Sequence, residues 1–218
     1  DGVEIKNGAT GNMIGGEVAG AGNIIAFNAL NGVNVVNGTT NAVVRNSIHS
    51  NTLLGINLGT AGVTVNDSGD GDGGANNLQN FPVLTSAETN GSQITITGSL
   101  NSTPSTSFRI EFYSNATGDA SGYGEGQTLI GVYDVTTDIS GNAAISAVLP
   151  AAVSAGSFIS ATVSRLDAGD APMLARFVAA ADIVVSLLPW TLHPVIARLC
   201  LAHGRHLVTA SYVKEEMQ

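Results

Sequence analysis

Asn23 to Val35 reads NIIAFNALNGVNV, and Asn46 to Leu58 reads NSIHSNTLLGINL. The two share the template N-x-I-x-x-N-x-x-x-G-(V/I)-N-(V/L). A second match sets GVEIKNGATGN, from Gly2, on GVNVVNGTTNA, from Gly32. Each unit carries apolar residues at period two, such as Val33 with Val35 and Ile56 with Leu58, bounded by Asn or Gly. Runs this short bury nothing alone, so the chain must stack them to close an interior. Asn at the corners tolerates a left-handed backbone and can hydrogen-bond the Asn of the next unit.

These repeats, with GNMIGG at Gly11 to Gly16, resemble the right-handed parallel β-helix repeats of bacterial secreted and surface proteins. The resemblance implies stacked rungs over 1–66. It also implies a carbohydrate or cell-surface partner. Glycoside cleavage needs paired carboxylates, whereas this stretch offers Glu4, Lys6, Glu17, Arg45 and His49. His49 reads as a surface residue, and no catalytic residue is assigned.

Residues 67–80 form a connecting loop in which Asp67, Asp70 and Asp72 sit among glycines. Hard cations take several oxygens from flexible loops, so calcium is the ion these three would hold. The spacing fits only two places of the EF-hand pattern. The competing reading is a solvated turn.

Residues 81–170 then show alternating apolar runs, QITITGSL, SFRIEFYSN, TLIGVYDVTTD, AAISAVL and SFISATVSRL, separated by turn signals. That spacing predicts an antiparallel β-sandwich. The stretch resembles the Ig-like modules that follow β-helices in surface proteins. Glu111 and Glu125 read as isolated, exposed acids. Sequons stand at Asn37, Asn66, Asn90, Asn101 and Asn115.

Composition breaks near Asp170. All Asn and all but one of the 27 Gly lie before it; the sole Cys and sole Trp lie after it. Residues 1–170 hold four basic and fourteen acidic residues, and residues 171–218 hold four basic and three acidic, which together give the net charge of -9. That balance argues against a nucleic-acid partner. The single Cys200 excludes an internal disulfide, and at helical spacing it reads as buried and inert. No apolar run reaches the roughly 18–20 residues of a membrane span. DGVEIKNGATGN looks like the middle of a repeat, so the N-terminus is expected at a fragment edge.

From Ala171 the period changes. PMLARFVAAA reads as a helix, with Met173, Phe177 and Val178 on one face. DIVVSLLP reads as a parallel strand covered on both sides. HPVIARLCLAHG reads as a helix burying Val195, Ile196, Leu199 and Cys200 and ending at Gly204, and HLVTASYV as a second strand. The run SLLPWTLHP, Ser186 to Pro194, with VTASY, Val208 to Tyr212, resembles the NAD(P)-binding domain of the saccharopine dehydrogenase/reductase family. By that resemblance Leu188, Ala210 and Ser211 border the nicotinamide cofactor, and Ser211 and Tyr212 the amino-acid substrate. The glycine-rich turn that holds the pyrophosphate in such domains is absent, so no working cofactor site is expected, and NAD(P) enters only through the tail resemblance.

The sequence therefore predicts a mainly β chain. Right-handed parallel β-helix rungs (1–66) lead through the Asp/Gly loop (67–80) to an Ig-like β-sandwich (81–170), followed by a partial Rossmann α/β fragment (171–218). The first reading is a join of unrelated pieces: a non-catalytic secreted or cell-surface fragment, for adhesion or carbohydrate contact, carrying an incomplete dehydrogenase. The tail family itself is cytoplasmic. The tail is expected to be poorly packed, or to lean on the sandwich through Leu187, Leu188, Trp190 and Leu192. The second reading is an NAD(P)-dependent oxidoreductase of lysine metabolism.

Overall fold

The computed structural model describes residues 1–166, 178–179, 181–186 and 193–209. The chain divides into two compact units, Asp1–Arg165 and Leu166–Gln218.

The first unit opens with seven three-residue strands: β1 (Val3–Ile5), β2 (Met13–Gly15), β3 (Ile24–Ala26), β4 (Val33–Val35), β5 (Ala42–Val44), β6 (Ser47–His49) and β7 (Ile56–Leu58). They form three parallel sheets, β1-β4-β7, β2-β5 and β3-β6. Alternation turns Ile5, Ile25, Val33, Val35 and Ile48 into one apolar interior. At the turns, carboxamides stack. Asn46 Oδ1 accepts both the backbone N–H and the Nδ2 of Asn23, at 3.0 Å each. Asn41 does the same for Asn12, and Asn51 for Asn28. These stacked Asn are not the left-handed residues. Positive φ falls at Phe27, Thr40, Arg45 and Ser50, and among Asn at Asn7, Asn76 and Asn77, so some Asn do take the left-handed corners while Asn41, Asn46 and Asn51 serve as buried hydrogen-bonding groups. The layers lie so close that a Cβ on Gly22 would fall 1.9 Å from the Arg45 carbonyl oxygen.

The expected right-handed parallel β-helix is corrected by this arrangement. Among the described residues there are separate parallel sheets of three, two and two strands, and no closed helix. The stacking stops because non-repeat residues occupy the next layer. Gly126 pairs with Ile48 through two backbone bonds of 2.7 and 2.8 Å. A left-handed turn at Ala75–Leu78 covers the interior with Ala75. Asn76 Oδ1 accepts the Asn41 N–H.

The remaining strands of this unit are β8 (Val83–Thr89), β9 (Ile94–Asn101), β10 (Ser107–Asn115), β11 (Thr128–Thr136), β12 (Asn142–Leu149) and β13 (Phe158–Arg165). They make two antiparallel sheets, β12-β9-β8 and β11-β10-β13, which share a core of Ile94, Ile96, Leu100, Phe108, Ile110, Phe112, Ile145 and Leu149. The Ig-like assignment is corrected with the β-helix. The two sheets hold six strands in all, against the roughly seven of an Ig-type sandwich. β10 is also buried on its second face, where Arg109, Glu111 and Tyr113 point. That burial, against the β2-β5 side of the unit, ties the two halves together.

In the second unit, β14 (Ile183–Ser186) and β15 (His206–Thr209) pair in parallel around α1 (His193–Ala202). Gly204, at φ 62, ends the helix. Arg205 N–H reaches back to the Cys200 carbonyl at 2.8 Å and Gly204 N–H to Leu201, a Schellman closure. Val178, Ile196 and Cys200 pack with Val184, Leu199 and Leu207. The strand expected to be covered on both sides leaves one face open among the described residues: Ile183 and Val185 are 60 % and 61 % exposed. Met173, Phe177, Leu187, Trp190 and Leu192 lie outside the described residues, as does the Val195 side chain. No helix among the described residues is long and apolar enough to cross a membrane.

The Asn stack supplies the first prediction. Asn46→Ala strands two Asn23 donors and removes the Nδ2 donor to the Ile14 and Val44 carbonyls, and is expected to cost about 3 kcal/mol. Urea unfolding should show a lowered midpoint; an unchanged midpoint would mean the stack is incidental.

Candidate functional site

A parallel strand-helix-strand unit places binding groups beyond the carboxyl ends of its strands. Here those ends are Ser186 and Thr209, which pair in register. The residues that follow them include Leu188, Ala210, Ser211 and Tyr212, all outside the described residues. Cys200, on α1, is buried and unbridged, in line with a structural thiol.

The Asp-rich loop is described throughout, and it brings its three carboxylates together. One oxygen from each of Asp67, Asp70 and Asp72 lies within 4.8 Å of the others. Asp70 is pinned: its Oδ1 accepts the Asn80 N–H at 2.8 Å, and its Oδ2 accepts Ser102 Oγ at 2.7 Å and Gln79 Nε2 at 3.0 Å. Asp67 Oδ2 accepts the Gly71 N–H. The Oδ1 atoms of Asp67 and Asp72 are buried with no hydrogen-bond partner in the protein. Desolvation, then repulsion by Asp67 and Asp70, raises the Asp72 carboxyl above its ordinary value. A hard cation would answer both conditions by giving the orphaned oxygens a partner and screening the repulsion. Buried Asn80 organises the loop by donating to the carbonyls of Asp67 and Asn101. It lies in a stretch, NNLQN, that offers no sequence signal separating it from its neighbours.

Sequence reasoning misses the acids that matter most to the first unit. Glu111 and Glu125, expected to be exposed, are 1 % and 8 % exposed. Glu125 receives the Asn51 N–H and, at 2.7 Å, Asn51 Nδ2, which ends that Asn stack with a carboxylate. Glu111 Oε2 receives the Arg45 N–H at 2.8 Å and Tyr113 Oη at 2.7 Å. Arg109 is held bidentate by Asp134, at 2.8 Å twice, and by Glu17 at 2.6 Å. These acids face backbone donors and an arginine, an arrangement that fixes structure. His49 sits against Ser50 and, edge to face at 5.8 Å, against Phe27; no acid-base pair is built there.

The comparisons with known proteins fall on the C-terminal side. Residues 130–218 match the Saccharopine dehydrogenase NADP binding domain family, so the similarity is to a family of NAD(P)-dependent oxidoreductases. The match starts inside β11, and among the described residues β14-α1-β15 is its parallel strand-helix-strand part. Among curated proteins, the chain is similar to Alpha-aminoadipic semialdehyde synthase of Arabidopsis thaliana, 48% identical over 52 residues, covering 24% of this chain and 5% of that protein. The Bos taurus mitochondrial protein of the same name is 48% identical over 40 residues, 18% of this chain and 4% of that one. Saccharopine dehydrogenase [NADP(+), L-glutamate-forming] of Schizosaccharomyces pombe is 36% identical over 52 residues, 24% of this chain and 12% of that one. The chain therefore spans a small fraction of the relatives it matches. These findings overturn the first functional reading, a non-catalytic secreted or surface fragment, and give its adhesive and bacterial-surface features no support. They favour the dehydrogenase reading in its place.

Glu111 yields a pH prediction. Burial raises its carboxyl above the ordinary 4.5, against the Arg45 and Tyr113 hydrogen bonds and the charge of Arg45, with Glu17 raising it further. A raised folded-state value means stability is full below the unfolded-state value and declines as pH rises through the folded one. Glu111→Gln keeps an acceptor for both donors and removes the charge. Its denaturation midpoint should decline less than the parent's as pH rises above that ordinary value; parallel profiles would refute the assignment.

Proposed function

We propose that the second unit is part of the NADP-binding domain of a saccharopine dehydrogenase-type oxidoreductase of lysine metabolism. The observation that carries this is the parallel β14-α1-β15 unit inside the range matched to that domain. Such a strand pair presents its carboxyl ends to a dinucleotide, and the adjoining segments hold the residues assigned by resemblance. In this reading Leu188, Ala210 and Ser211 border the nicotinamide nucleotide, and Ser211 and Tyr212 the amino-acid substrate. The bound nucleotide would accept or supply hydride, and the chain's own part is to seat it. Without the glycine-rich turn, the pyrophosphate lacks its strongest holder, so binding should be weak.

Fluorescence titration of the full chain with NADPH and with NADH tests this. Saturable NADPH binding is expected, weakened roughly tenfold by Ala210→Arg, the effect of about 1.4 kcal/mol of lost contact. Circular dichroism of the variant should be unchanged. Absence of saturable binding by either nucleotide would overturn the proposal.

The Asp loop supports a second, independent reading: a structural calcium held by Asp67, Asp70 and Asp72. The buried, unpartnered Oδ1 atoms of Asp67 and Asp72 favour it. Calcium at about 100 times its dissociation constant should add about 2.7 kcal/mol to unfolding, read as a raised melting temperature. Asp72→Asn should lose most of that rise while matching the parent in chelator. A melting temperature indifferent to calcium would leave the loop a solvated turn.

A further inference from the structure

The chain contains four Asn-Gly steps: Asn7-Gly8, Asn31-Gly32, Asn37-Gly38 and Asn90-Gly91. In such a step the glycine nitrogen can attack the Asn side-chain carbonyl carbon, since no side chain on the glycine hinders it. The reaction needs that nitrogen free, the carboxamide accessible, and a donor for the oxygen that becomes negative.

The structure separates the four. The Gly32 N–H donates to the Leu54 carbonyl at 2.9 Å, and Asn31 is buried. The Gly8 N–H donates to Asn37 Oδ1 at 2.7 Å. The Gly91 N–H donates to Thr89 Oγ1 at 3.1 Å. Among the described residues the Gly38 N–H has no acceptor. Asn37 is exposed, and the bond from Gly8 that occupies the Gly8 nitrogen also supplies a donor at Asn37 Oδ1, where the developing oxyanion would lie. One contact thus protects Asn7 and primes Asn37.

We propose that Asn37 is a spontaneous deamidation site, the fastest of the four in the folded chain. The Gly38 nitrogen gives its proton to solvent base and bonds to Asn37 Cγ. Nδ2 takes a proton from solvent, the Cγ–Nδ2 bond breaks and ammonia leaves, closing a succinimide. Water then opens the ring at either carbonyl, giving aspartate or isoaspartate, and neither step is a redox step. Each event adds a negative charge. Isoaspartate also adds a backbone carbon where the layers have no slack, since a Cβ on Gly38 would fall 2.0 Å from the Ala9 carbonyl oxygen.

Peptide mapping by mass spectrometry, after incubating the full chain at mildly alkaline pH, tests this. Asn37 should convert roughly fivefold faster than Asn7, Asn31 or Asn90, about the rate effect of one hydrogen bond. That ranking should vanish when the chain is unfolded in urea. Another step converting as fast as Asn37 in the folded chain would overturn the proposal. So would an Asn37 lead that persists in urea, because the fold would then not be its cause. Thr89→Ala frees the Gly91 N–H and should speed conversion at Asn90 while leaving Asn37 unchanged; no rise at Asn90 would show that the glycine nitrogen does not decide.

Discussion

The first unit depends on one constraint: polar groups at its tight turns must find partners after burial. Unpaired buried amides cost more than most single packing contacts return. The chain answers with carboxamides that accept two N–H groups from the preceding layer, as Asn46 does for Asn23. Where the repeat ends, other side chains take the role. Glu125 receives Asn51, Asn76 receives Asn41, and Glu111 receives the Arg45 N–H. The apolar interior of Ile5, Ile25, Val33, Val35 and Ile48 would be too small to hold seven three-residue strands if these groups were left unpaired.

The same need explains why β10 is buried on both faces. Phe108, Ile110 and Phe112 enter the core between the antiparallel sheets. Arg109, Glu111 and Tyr113 point the other way and meet Glu17, Arg45 and their neighbours. Burial works against the charge of Arg109, and Asp134 and Glu17 more than restore it. Burying charges this way returns little net stability but penalises any other seating of the layers, because a misplaced partner would leave an ion unpaired.

The two units differ in what holds them. The second relies on a small apolar cluster, Val178, Ile196 and Cys200 with their neighbours, and on a capped helix. Its parallel strand pair is what the proposed nucleotide role rests on. The Asp loop belongs to the first unit and concerns a separate chemistry, since Asp70 is locked to Asn80, Gln79 and Ser102 independently of any nucleotide.

Much of this was legible in the residues. The repeat gave the three-residue strands and their alternation, the Gly-spaced aspartates gave a cluster of carboxylates, and the run from Asp182 to Thr209 gave a strand, a helix closed at Gly204 and a second strand. These are local properties, set by period, turn chemistry and close spacing. What stacked on what was not local. Periodicity suggested an unbroken β-helix, yet the stacking ended where Gly126, Asn76 and Glu111, distant in sequence, filled the next layer. Glu111 and Glu125 looked like surface acids because nothing near them in sequence shows the backbone donors that turn toward them. The sequence by itself determined which segments could pair and which side chains could carry charge. Only the tertiary structure decided which of those charges are buried and which amides stay free to react, because desolvation and partner geometry arise from residues brought together across the fold.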